Sequence, residues 1–356
     1  MIEQVLNKDT KKSSSFLRYI HNFRGFAILT IVASHTIYHL QWSDEIIEKI
    51  AHVLIANGTL YFVFIAGFLF QFLSLKYEYK SYLSKKLQYV LLPYFFTSIP
   101  AIVFCIIGKS SNYPPYWFRN LFSEWSIPGQ SLMYLLTGAH LGPFWFIPMI
   151  AIFYIVSPVL LWVDRHPNVY WILPILLTIT AIVPRSENNF NIVQTFIHFL
   201  SIYISGMFCS HFKEKLFPFV QKKCFWLLAS FLSLTILEIT IIKRPFVINS
   251  INSLSKLILC VLIIYFLWAV ESRLPKLFHK TVGFLAELSF GIYFLHYYFL
   301  SAYVGAVYKF GFEPFWLQAN LLNFSLIFLI EVGASIVLIS IVKKILGKKS
   351  RFVVGC

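Results

Sequence analysis

Hydrophobic runs near the length that spans a bilayer recur along almost the whole chain, and the polar stretches between them are short. They fall at 17–40, 51–74, 87–108, 144–163, 169–184, 194–211, 224–242, 254–270, 282–304 and 317–342. This pattern predicts an all-α, polytopic bundle of about ten transmembrane helices forming a single domain over 17–342. A polar tail, 1–16, precedes the bundle and a basic tail, 343–356, follows it. The fifth run is short and flanked by Pro167, Pro174 and Pro184. Because Lys and Arg concentrate in cytoplasmic loops, their distribution tests the span count. With both tails cytoplasmic, about 21 basic residues fall inside and about 7 outside. The alternation holds through the fifth run, which is therefore kept as a span. Lys243 and Arg244 form the external cluster that fits this scheme worst.

The first run, RYIHNFRGFAILTIVASHTIYHL, places two ionisable residues inside an apolar segment, Arg24 and His35. An Arg at mid-helix costs roughly 2.5–3.5 kcal/mol on insertion scales, so its presence points to function. Eleven residues at about 100° each return to within about 20° of the starting direction and climb about 16 Å. Arg24 and His35 thus share one helical face at two depths, with Ile28 and Val32 between them and His21 and His39 near the face beyond each end. The plainer alternatives are an Arg24 that snorkels to the interface and a His35 that is a hydrogen-bonded core residue.

Composition narrows the class. With 58% hydrophobic and 13% charged residues, the chain is not a water-soluble globule. The net charge of +15 is dispersed over short loops and tails, KKILGKKSR at 343–351 above all. That spread fits topology signals and anchors for anionic lipid, not nucleic-acid binding. The five cysteines show no metal-ligand spacing, so no metal site is expected. No cleavable signal peptide is evident, since the leading tail is polar and the first run exceeds a signal h-region. The longest connection, 109–143, is aromatic and poor in charge, which predicts an extracytoplasmic segment on the outer membrane surface. Trp117, Trp125 and Trp145 suit an interfacial belt there, and the loop suits a lid or acceptor platform.

Five motifs then occur in order. Arg24 and Gly25 are followed by His35 after ten intervening residues from the Arg, and YFVFIAGFLF carries Gly67 and Phe68. SYLSKKLQYVLLPYF carries Lys85, Lys86, Pro93 and Tyr94; GPFWFIPMIAIFYIVSPVL and LSFGIYFLHYYFL complete the set. Together they resemble the acyltransferase 3 family of integral membrane acyltransferases over nearly the whole chain. The resemblance implies transfer of an acyl group, usually acetyl from acetyl-CoA, to a hydroxyl of a surface polysaccharide or its lipid-linked precursor. It also implies a bacterial inner membrane, with acetyl-CoA as substrate and no tightly bound cofactor. His35 is then the candidate base, since imidazole titrates near neutral pH and a sugar hydroxyl is a poor nucleophile until its proton is removed. Arg24, Lys85 and Lys86 become the candidates for the CoA phosphates. Trp145, Tyr293 and His296 become candidates for acceptor contacts. Two positions depart from the family pattern: Asn22 stands where an Asp is common, and Ala66 replaces the Ser of an SGF motif.

Other readings stay open. Lys85 and Lys86 also suit positive-inside anchors, Trp145 an interface anchor, and His296 a helix-packing hydrogen bond with Tyr293 on its face. Glu238, Glu331, His198 and Glu287 are further ionisable groups in or near the runs, with helix packing as their default role. Intramembrane Arg, His and Glu also mark carriers, so a polysaccharide-precursor transporter is the second class, although no internal repeat supports it. A non-catalytic assembly partner is the third.

Overall fold

The apolar runs become helices, and no strand is found among the described residues. The computed structural model describes residues 17–107, 125–186, 191–241 and 250–356. The helices are α1 (Arg18–Tyr38), α2 (Glu45–Ile55), α3 (Thr59–Phe72), α4 (Tyr79–Lys86), α5 (Leu92–Ile107), α6 (Ile127–Thr137), α7 (Phe146–Ile155) and α8 (Ser157–Arg165). They continue as α9 (Leu173–Ile182), α10 (Ile192–His211), α11 (Lys213–Ile241), α12 (Ser250–Val270), α13 (Lys276–Phe310), α14 (Glu313–Trp316), α15 (Leu321–Leu346) and α16 (Ser350–Val353). The 1–16 tail, Trp117 and the Lys243–Arg244 cluster lie outside the described residues.

Seven described segments are long and apolar enough to cross a membrane: α2 with α3, α4 with α5, α10, α11, α12, α13, and α15 with its extension. An eighth forms if α7 and α8, bent by 56° at their junction, are one broken span. Two of the ten expected spans, the first and the fifth, are not among these segments. α1 is long enough, but Arg18, His21, Asn22, Arg24 and His35 lower its hydropathy. The fifth run is split into a 3-10 segment, Pro167–Ile172, and the ten-residue α9, consistent with its prolines interrupting regular helix.

Buried positions locate the centre. α3 is apolar nearly all round and buried nearly all round, whereas α11 is exposed along most of its length and forms the periphery. α3 packs on α10 through one glycine on each helix, each set against the backbone of the other helix. A Cβ at Gly67 would be driven into the Tyr203 carbonyl, and one at Gly206 into the Phe64 carbonyl. Small residues let two helix backbones approach where apolar lipid supplies no hydrophobic drive. α1 lies along α13 in the same way, with Gly25 leaving room for the Val282 carbonyl. Asn22 meets His279 and His35 meets His296, so these two helices run parallel.

Two segments expected at the surface are built into the bundle. In the 109–143 connection, residues beyond Trp125 form α6 and a buried turn whose Ala139, His140 and Leu141 are 3% exposed or less. Tyr94 donates to the Leu135 carbonyl at 2.8 Å, and Tyr293 donates to the Pro143 carbonyl. An aromatic sequence poor in charge satisfies burial as well as it satisfies an interface. The basic tail is also ordered: α15 runs on to Leu346, and 350–356 folds back onto the bundle.

Candidate active site

α1 and α13 supply the two halves of the site. At one end, the Arg24 Nε–H donates to Ser289 Oγ at 2.7 Å, and the guanidinium lies 5.2 Å from the centre of the Phe290 ring. Gly25 permits the close helix approach that brings Arg24 to Ser289. Ion pairs among the described residues join His52 to Glu48 and His211 to Asp164, and none involves Arg24. The Asn22 side chain turns elsewhere: its Nδ2–H donates to His279 Nδ1 at 3.1 Å, tying α1 to the start of α13. Position 22 is thus spent on helix packing, and Ser289 with Phe290 provides the seat of Arg24.

Lys85 and Lys86 part company. Lys85 is exposed, whereas the Lys86 ammonium sits 5.2 Å from the Tyr82 ring centre and 4.9 Å from that of Tyr154. Lys86 is close enough to Arg24 for the two charges to repel. The chain leaves α4 through a π-turn, Leu87–Leu91, in which the Leu92 N–H reaches back to the Leu87 carbonyl. Pro93 follows and has no N–H to give to Tyr89, so the wider turn accommodates a missing α-helical bond.

At the other end, His35 lies deep among the helices but keeps partial accessibility. Its ring centre is 5.4 Å from that of His296 and 5.1 Å from that of Tyr297. The His296 Nδ1–H donates to the Ile292 carbonyl at 2.9 Å. A carbonyl only accepts, so Nε2 carries the lone pair, and it is buried without a hydrogen-bond partner. The His39 Nδ1–H donates to the His35 carbonyl at 2.9 Å and closes the outer side of the pair. Tyr293 does not partner His296 by hydrogen bond, because its hydroxyl goes to Pro143.

Trp145 is 5% exposed and stacks on Phe199. Its ring centre lies 4.7 Å from the guanidinium of Arg185, a residue that sequence reasoning missed. Arg185 Nη1–H donates to Asn57 Oδ1 at 3.1 Å, and its charge reaches both His35 and Tyr38. Burial pulls its guanidinium down to about 10, opposed by Tyr38, so it remains charged at neutral pH. Asn57 holds a left-handed backbone, φ 66°, at the break between α2 and α3, and it also contacts Asn252. His198 fixes the same segment, with Nδ1–H donating to the Val183 carbonyl and Nε2 bonded to Ser253 Oγ. A lone Arg in a Pro-flanked connection carries no signal in sequence; its role emerges only from the residues packed around it.

The remaining acids are engaged by other side chains or exposed. Glu331 accepts from Thr36 at 2.7 Å, Glu238 accepts from Asn252 at 3.0 Å, and Glu287 is exposed.

A family model described as an acyltransferase domain matches residues 17–340. Comparisons with curated proteins and with solved structures each give no match.

Proposed function

Since the chain belongs to the acyltransferase 3 family, and is therefore a multi-pass membrane O-acyltransferase, we propose that it moves an acetyl group from acetyl-CoA to a hydroxyl of a cell-surface polysaccharide or its lipid-linked precursor. The observation that carries this reading is one helix, α1, holding a cation at one depth and an imidazole at another, each completed by α13. The setting we assign is a bacterial inner membrane, with the Arg24 end toward the cytoplasm. CoA phosphates cannot cross a bilayer unaided, so the end that binds them faces the CoA pool.

Arg24 and Lys86 receive the phosphate-bearing donor, because cations without carboxylate partners are costly to bury and are best satisfied by an incoming anion. The thioester then reaches His35. As the acceptor oxygen attacks the thioester carbonyl, the His35 imidazole takes the hydroxyl proton. The carbon–sulfur bond breaks, and the thiolate leaves with that proton as free CoA thiol. His296 Nε2 offers an acceptor lone pair that orients the sugar hydroxyl, with Arg185, seated on Trp145, holding the acceptor beyond it.

Purified protein in lipid nanodiscs, given labelled acetyl-CoA and a glycolipid extract, is expected to place label in glycolipid. Failure of the folded protein to bind or transfer label with every acceptor pool would move the reading to transport. The divergent lysines sharpen the test. Lys86→Ala is expected to raise KM for acetyl-CoA about tenfold or more, as for loss of a hydrogen bond to a charged group. Lys85→Ala is expected to change it less than about twofold, the scale of an exposed charge. Equal effects would contradict the inward placement of Lys86.

A further inference from the structure

The 350–356 segment ends its course against the residues that seat Arg24. Ser350 Oγ–H donates to the Cys356 carbonyl at 2.8 Å and closes the segment into a compact strap. Phe352 stacks on Tyr89 with ring centres 5.7 Å apart and planes 11° from parallel. Gly355, at φ 83°, lies against Phe290 and Phe294, the first of which also carries the Arg24 guanidinium. A Cβ at Gly291 would run into Cys356 Sγ, so this glycine makes room for the strap. Val354 is 5% exposed, which marks the strap as packed and not merely adjacent.

The same strap carries a cation. The Arg351 guanidinium sits 4.0 Å from the centre of the Tyr89 ring, is exposed, and is close enough to Arg24 for their charges to repel. Lys86 is three residues before Tyr89 and also repels Arg24. Three cations from distant parts of the sequence therefore converge at one end of the bundle. No ion pair among the described residues involves any of them. They grade from the exposed Arg351 to the half-buried Lys86 and Arg24. Like charges gathered this closely raise the free energy of the empty site, and a polyanion lowers it.

We infer that the 350–356 strap is part of the donor site, with Arg351 as the outermost cation gripping the phosphate-bearing end of the acyl carrier while Arg24 and Lys86 bind further in. The inference rests on the acyl-CoA reading above and adds to it a residue from the segment whose composition suggests only lipid anchoring. The shared chemistry is a phosphate ester, which a CoA-type donor and an anionic lipid headgroup both offer.

The test is equilibrium binding of labelled acetyl-CoA, and of S-acetylpantetheine, which has no phosphate, to the full chain in nanodiscs of either phosphatidylcholine or phosphatidylglycerol. Arg351→Ala is expected to weaken acetyl-CoA about tenfold in both lipids, leave S-acetylpantetheine unchanged, and be largely rescued by Arg351→Lys. Unchanged acetyl-CoA binding, with Arg24→Ala still weakening it, would overturn the role of the strap and leave the donor assignment standing. Equal weakening of both ligands would overturn it by showing that Arg351 merely holds the strap in place. An effect confined to phosphatidylglycerol would overturn it in favour of a lipid headgroup. Absence of acetyl-CoA binding by the wild type would remove the donor assignment and this inference together.

Discussion

His35→Ala is expected to lower acyl transfer by about 10²–10⁴-fold, the usual worth of a positioned general base, while the protein remains folded in the membrane. Alanine is the best helix former, and His35 keeps partial accessibility, so truncation is expected to leave the helix and its packing in place. The loss should appear in kcat, because Arg24, the cation of α1 proposed to receive the donor, is bonded to Ser289, which lies seven residues and roughly 10 Å of helical rise before His296 on α13. Binding of acetyl-CoA to the variant, measured beside its turnover, separates the two quantities. Turnover at the wild-type rate would shift the base to His296, whose Nε2 is already unprotonated and unpartnered. Loss of donor binding along with turnover would mean that the two ends of α1 do not act independently.

The second large effect concerns the fold. Gly67→Val is expected to remove most folded protein, since its side chain would meet the Tyr203 carbonyl on α10. A backbone oxygen cannot swing aside as a side chain can, so the helices must part. Overpacking of ordinary cores costs about 1–3 kcal/mol, and an obstruction by backbone at a helix crossing belongs at or above the top of that range. Gly206→Val is expected to behave alike, because Gly206 faces the Phe64 carbonyl across the same crossing. Gly333→Ala is the comparison: nothing lies within 4 Å of a Cβ there, and a helical Gly replaced by Ala gains about 0.5–1 kcal/mol. Yield of monodisperse protein after detergent extraction, together with its unfolding temperature, reads all three. A Gly67→Val protein as stable as wild type would refute the close approach of α3 and α10.

Arg24 and His35 were legible in the sequence because polar side chains in an apolar run stand out, and because the 3.6-residue period puts them on one face. That face is the one α13 covers, with Ile28 and Val32 buried completely between the two. What the sequence could not show is fixed by residues far apart in it. Lys85 and Lys86 are indistinguishable as letters, and their divergence is a matter of how α4 is oriented before the π-turn that precedes Pro93. Arg185 reads as one more external charge until Asn57, Trp145 and Phe199 close around it. The aromatic stretch before Trp145 has the same composition whether it floats at an interface or fills a bundle. Hydrophobic run length, for a related reason, cannot reveal that α9 is only ten residues long or that α7 and α8 bend at their junction.

The parallel alignment of α1 and α13 also makes the bundle a ruler. Both ends of the site lie along the same two helices, eleven residues apart on α1 from Arg24 to His35 but seven apart on α13 from Ser289 to His296, because the Arg24 side chain reaches along the bundle toward the imidazoles. On the reading proposed above, a donor that engages both levels must span their separation, which is set by the packing of two helices and not by the shape of a loop. The far end, by contrast, is bounded by the side chains of His35, His296 and Tyr297. On the reading proposed above, such a gauge selects for the handle of the donor more than for the group it delivers.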